Sequence, residues 1–172
     1  KNSILTLIKV LEDMNQEPMV RHEAAEALGA IGSPDVIETL QKFLHDPVVE
    51  VAETCELALE RIKWLQKLNC QNEQLSENPY LSIDPAPPAT LIDVEKLKEI
   101  LLDDKQSLFN RYRTMFALRN IHTKESVLAI CAGLKCGSAL FRHEIAFVLG
   151  QLQDEISVPF LKDSLEDRHE NE

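Results

Sequence analysis

A chain of 172 residues can bury roughly 70% of its unfolded surface and so support a core of its own. With 44% hydrophobic and 27% charged residues it lies in the soluble globular range, while five glycines and 5% aromatics fit poorly with a sheet-rich sandwich or barrel, so helices are expected. A net charge of −11 with no Lys/Arg cluster argues against a nucleic-acid binder and suits a cationic partner.

Residues 1–13 put Ile4, Leu5, Leu7, Ile8 and Leu11 on one side of a helix. Pro18 then stands where a second helix, 19–31, would begin, and Gly32 suits its left-handed C-terminal position. Ser33-Pro34-Asp35 restarts the chain as N-cap, first-turn proline and first-turn acid, and the third helix has Val36, Ile37, Leu40, Phe43 and Leu44 as its buried stripe. Asp46-Pro47 opens a fourth helix, whose Val49–Leu57 text aligns with Val20–Leu28 at an offset of 29.

From Gln66 to Ile92 the periodicity stops, and Pro79, Pro85, Pro87 and Pro88 mark an extended linker between two helical halves, 1–65 and 93–172. Asp93 caps a helix over 94–102; further helices are expected over 108–121, 123–135, 139–152 and 156–166. Helix pairs recurring about every thirty residues around a degenerate V-R-x-x-A-A-x-A-L core are the signature of an all-α fold, an α-solenoid of HEAT-like hairpins.

Two stretches of this repeat carry chemistry. Val20-Arg21-His22-Glu23 and its Leu28-Gly29 recur 121 residues later as Phe141-Arg142-His143-Glu144 with Leu149-Gly150. Other copies place Val51-Ala52 and Tyr112-Arg113 in the His-Glu slots and so offer no such pair. Adjacent helical residues point about 100° apart, so each pair flanks a wedge in which one metal or two close ones can sit. Imidazole and carboxylate without thiolate suit Fe(II), Mn(II) or Zn(II) and disfavour iron–sulfur chemistry. A His-Glu pair met alone is more simply a solvated pair or a satisfied histidine; its recurrence at one place in the repeat is what singles it out.

A longer repeat aligns Leu11-Glu12-Asp13 with Leu165-Glu166-Asp167 at an offset of 154, so the chain reads as the middle of a duplicated protein whose other two His-Glu positions fall outside it. That offset sets Arg168-His169-Glu170 against Met14-Asn15-Gln16, which makes this third His-Glu a coincidence at a frayed C-terminus. His45 and His122 stand at helix ends as solvated or capping residues. The cysteines Cys55, Cys70, Cys131 and Cys136 have neither CxxC nor framework spacing, and no stretch reads as a signal peptide or reaches the roughly 18 apolar residues of a membrane span, so a reduced, cytoplasmic protein is expected. No P-loop or GxSxG elbow supports nucleotide or serine-hydrolase chemistry.

Three stretches carry a resemblance: Glu17-Pro18-Met19-Val20-Arg21-His22-Glu23-Ala24, the linker Pro79-Tyr80-Leu81-Ser82-Ile83-Asp84-Pro85-Ala86-Pro87-Pro88, and Cys136-Gly137-Ser138-Ala139-Leu140-Phe141-Arg142-His143-Glu144. With them, nearly the whole chain resembles the deoxyhypusine hydroxylase family. The resemblance implies a non-haem di-iron monooxygenase that uses O₂ to hydroxylate deoxyhypusine on the precursor of the hypusine-containing translation initiation factor. It also implies two Fe(II) per complete site, held by four His-Glu pairs, of which this chain matches His22-Glu23 and His143-Glu144. The alternatives are a HEAT-repeat interaction scaffold and a phycobiliprotein-lyase-like protein, which shares the V-R-x-x-A-A-x-A-L-G frame.

Overall fold

The structure is a computed structural model that describes residues 2–68 and 78–170. Cys70 and the linker positions 69–77 lie outside the described residues. Among the described residues there is no strand, and no helix is long and apolar enough to cross a membrane. The chain divides into two compact units, each an α-solenoid segment of HEAT-like hairpins.

The first unit contains α1 (Asn2–Glu12), α2 (Pro18–Ile31), a 3₁₀ turn at Pro34–Val36 that runs into α3 (Ile37–Lys42), and α4 (Val49–Leu68). In α1 the inward stripe is Ile4, Leu7, Ile8 and Leu11, the i, i+3, i+4, i+7 set; Leu5, expected on it, is 61% exposed because it lies about 100° round the helix from Ile4. Gly32 ends α2 at φ 71°, and its N–H returns to the Leu28 carbonyl. The α1–α2 hairpin is locked by a buried arginine: Arg21 Nε donates to Leu11 O at 3.0 Å while its terminal nitrogens bond the Asp46 carboxylate just before α4. Leu28, Cys55, Ala58 and Ile62 fill the space between α2 and α4, each fully buried aliphatic side chain stabilising by roughly 1.5–3 kcal/mol.

The second unit repeats this plan 90 residues on, with α5 (Val94–Leu102), α6 (Leu108–Ile121), α7 (Lys124–Ala132), α8 (Ala139–Leu152) and α9 (Val158–Glu166). Arg111 Nε donates to Leu101 O at 2.9 Å, as Arg21 does to Leu11. Asp93, Ser107 and Ser138 cap α5, α6 and α8 through their side chains. The helix expected over 123–135 becomes 3₁₀ at Gly133–Lys135, where the Ile145 side chain occupies the space a Cβ on Gly133 would need. His122 ends α6 in the left-handed conformation at φ 49° and is therefore a C-cap residue.

The proline-rich stretch is partitioned between the units. Residues 83–86 belong to the first, where Arg61 Nε donates to Asp84 O at 3.0 Å. Residues 78–82 and those from Pro87 onward belong to the second, where Arg113 Nε donates to Pro87 O at 3.3 Å and the Arg119 guanidinium lies 4.8 Å over the Tyr80 ring.

Candidate metal centre

The inward face of α2 presents Arg21, His22, Ala25 and Leu28, all buried, and turns Glu23 outward. His22 is 5% exposed, whereas the Glu23 side chain is 65% exposed. Nδ1 of His22 lies 2.6 Å from Oγ1 of Thr54 on α4, and that hydroxyl donates to the Glu50 carbonyl at 2.7 Å. The other ring nitrogen, Nε2, faces two carboxylates: Glu23 Oε1 at 4.0 Å and Glu26 Oε2 at 3.8 Å. The Glu26 carboxyl is pushed up by burial and, secondarily, by the charge of Glu23. Imidazole nitrogen and carboxylate oxygen are hard-to-borderline donors, of the kind a divalent first-row cation takes.

Sequence reasoning missed Thr54 and Glu26. The 29-residue alignment put Val51-Ala52 opposite His22-Glu23 and left α4 without a part in ligand chemistry. The helices correct this: the first residues of α2 and α4, Pro18 and Val49, are 31 apart, as are Leu108 and Ala139 in α6 and α8, so the matching pair is Glu53-Thr54. The signal was present in Thr54 itself, a hydroxyl on a helix face where its neighbours Val51, Cys55 and Ala58 are core residues.

His143 and Glu144 lie on α8 in the other unit with the exposures exchanged: His143 is exposed and Glu144 is 8% exposed. The cause is which side of the helix is covered. Helix α2 is packed between α1 and α4, whereas α8 packs on α6 and α7. One local text therefore buries its histidine in α2 and its glutamate in α8. In α6 the slots are filled by Tyr112, which packs its ring on Phe116 and Phe141, and by Arg113, which bonds the proline-rich stretch. Arg168-His169-Glu170 forms an ordered turn rather than a frayed end. The His169 N–H bonds Asp167 Oδ1 at 3.0 Å, as the Asn15 N–H bonds Asp13 at 3.0 Å, and Glu170 accepts from Arg142 Nε at 2.8 Å. Among the described residues, no group of three or more His, Cys, Asp or Glu is gathered so as to hold a metal ion by itself.

Residues 1–60 match the HEAT repeats model and 141–167 the PBS lyase HEAT-like repeat model, the latter spanning about one hairpin of the fold. A deoxyhypusine hydroxylase of Drosophila melanogaster is 62% identical over 96% of this chain and 54% of its own length; that of Danio rerio is 58% identical over 99% and 56%. The solved structure of human deoxyhypusine hydroxylase in complex with glycerol superposes with a TM-score of 0.93 at 56% identity, covering 99% of this chain and 58% of that one. The chain thus spans about half the length of the curated relatives it matches. Over nearly its whole length, then, the chain is similar in sequence and in fold to about half of a deoxyhypusine hydroxylase.

Proposed function

We propose that this chain contributes half of the ligands of a non-haem di-iron centre that hydroxylates deoxyhypusine to hypusine on the precursor of the hypusine-containing translation initiation factor. His22-Glu23 and His143-Glu144 hold the metals, and the remaining two pairs are supplied by sequence outside these 172 residues. The observation that carries the reading is the buried imidazole of His22, which presents Nε2 between Glu23 and Glu26. Bound iron would supply the activation of O₂ that hydroxylation of an unactivated carbon requires. The protein's own part is to orient the imidazoles, hold the carboxylates close, and attract the substrate. A long polyamine-like side chain is cationic, and a protein of net charge −11 favours its approach.

The test is hydroxylation of the deoxyhypusine-bearing precursor by a form spanning the full length of the relatives, loaded with Fe(II) anaerobically and then given O₂. The reading expects product from that form and none from its His22→Ala or His143→Ala variant. Turnover unaffected by either substitution would overturn it.

A further inference from the structure

The ligand role proposed for His22 leaves open which ring nitrogen meets the metal and what selects it; the inference here rests on that role and deepens it. Thr54 Oγ1 has one proton and two neighbours, the Glu50 carbonyl oxygen at 2.7 Å and His22 Nδ1 at 2.6 Å. A carbonyl oxygen only accepts, so the hydroxyl proton is directed to Glu50. The contact with the ring must then be made by an N–H on Nδ1, with Oγ1 accepting. In the neutral imidazole this leaves the lone pair on Nε2, the atom that faces Glu23 and Glu26.

We propose that Thr54 is a positioning residue that fixes the His22 tautomer and ring rotation so that Nε2 is the metal-binding nitrogen. Burial makes the assignment durable: Thr54 and His22 are 3% and 5% exposed. The hydroxyl is itself held by the carbonyl one turn back on α4, so the support comes from a rigid element. Without that acceptor, the neutral ring would be drawn to the opposite tautomer, with its proton on Nε2 between two carboxylates and its lone pair aimed into the helix interface. In that tautomer the metal must displace the Nε2 proton before the ring can bind it.

The first measurement needs no metal. In ¹⁵N-histidine-labelled chain, at a pH where the His22 ring is neutral, long-range ¹H–¹⁵N correlation should show the proton on Nδ1. Thr54→Val, which replaces the hydroxyl with a methyl group, should move it to Nε2, and Thr54→Ser should restore it. A wild-type ring protonated at Nε2, or a Thr54→Val ring that keeps its Nδ1 proton, overturns the proposal; if Thr54→Val does not fold, the wild-type and Thr54→Ser spectra decide it. The second measurement is anaerobic Fe(II) titration of the full-length form, where Thr54→Val should weaken binding by about 10–100-fold and Thr54→Ser should not. Iron binding lost in His22→Ala but unchanged in Thr54→Val overturns the positioning role. Binding unchanged in both, with the tautomer behaving as expected, leaves the hydrogen-bond assignment standing and instead overturns the ligand reading of His22.

Discussion

A Cβ built on Gly29 would stand 2.7 Å from the Cβ of Ala58 and 2.9 Å from its Cα, so α2 and α4 cross where neither helix can carry a larger residue without moving apart. This close crossing lets a side chain as short as Thr54 reach His22. Gly29→Ala should therefore destabilise the protein by about 1–3 kcal/mol, because the obstacle, the Cβ and Cα of Ala58, is fixed to the helix backbone and cannot swing aside. Gly150, its counterpart in α8, has nothing within 4 Å of a built Cβ, and Gly150→Ala should be neutral or stabilise by up to about 1 kcal/mol through helix propensity. Urea unfolding of the two variants separates these outcomes; equal effects would contradict the packing account.

The Arg21–Asp46 pair should govern the acid response of the first unit. Burial pushes the Asp46 carboxyl up, yet hydrogen bonds from Arg21 and the Val48 amide, together with the charge of Arg21, outweigh it and hold the group below the ordinary carboxylate range. A carboxyl depressed in the folded state adds stability above its unfolded value, about pH 4, and loses that contribution as the pH falls through the folded value. Asp46→Ala should cost about 3–5 kcal/mol at neutral pH, and the gap to wild type should narrow on acidification. In the second unit Arg111 Nη1 pairs at 2.8 Å with Asp104, which is 71% exposed, so Asp104→Ala should cost about 1 kcal/mol or less. Urea midpoints measured across the acid range test both; a pH-independent Asp46→Ala gap would refute the linkage.

Thiol reactivity should follow burial. Burial, with the charge of Asp46 adding to it, pushes the Cys55 thiol up to about 12, and burial pushes Cys131 to about 11. Neither is appreciably thiolate at pH 8. Of the three described cysteines, alkylation of the folded protein should modify the half-buried Cys136 first, with Cys55 and Cys131 labelled only as the protein unfolds. Mass spectrometry after timed labelling would show it, and native-state labelling of Cys55 at the rate of Cys136 would contradict it.

Much of this fold is written in local chemistry. Asp93, Ser107 and Ser138 stand where caps are needed, and the helices they begin have the extents the periodicity predicts. Gly32 and Ser33 mark the break between the first unit's hairpins in the same way. What local text could not reveal is which flank of a helix its neighbour covers. His22 and His143 share one sequence context, yet α4 lies over the first, while α8 buries Glu144 in place of its histidine and packs on α6 and α7. Thr54 was hidden for a related reason: the strongest local text match sets α4 two residues out of register with the helix starts. The Arg142–Glu170 bond likewise depends on chain that is distant in sequence.

On the proposed function, His22-Glu23 and His143-Glu144 are metal ligands that need further pairs to complete their site. The most direct test is iron stoichiometry after anaerobic Fe(II) loading and desalting. It compares the 172-residue chain, a form spanning the relatives' full length, and that form with His22→Ala and His143→Ala. Expected are two irons in the full-length form, sharp loss on either substitution, and only weak binding by the chain itself, which on the proposed function carries two of four ligand pairs. A folded full-length form that retains no iron, or two irons held tightly by a monomer of this chain, would contradict it.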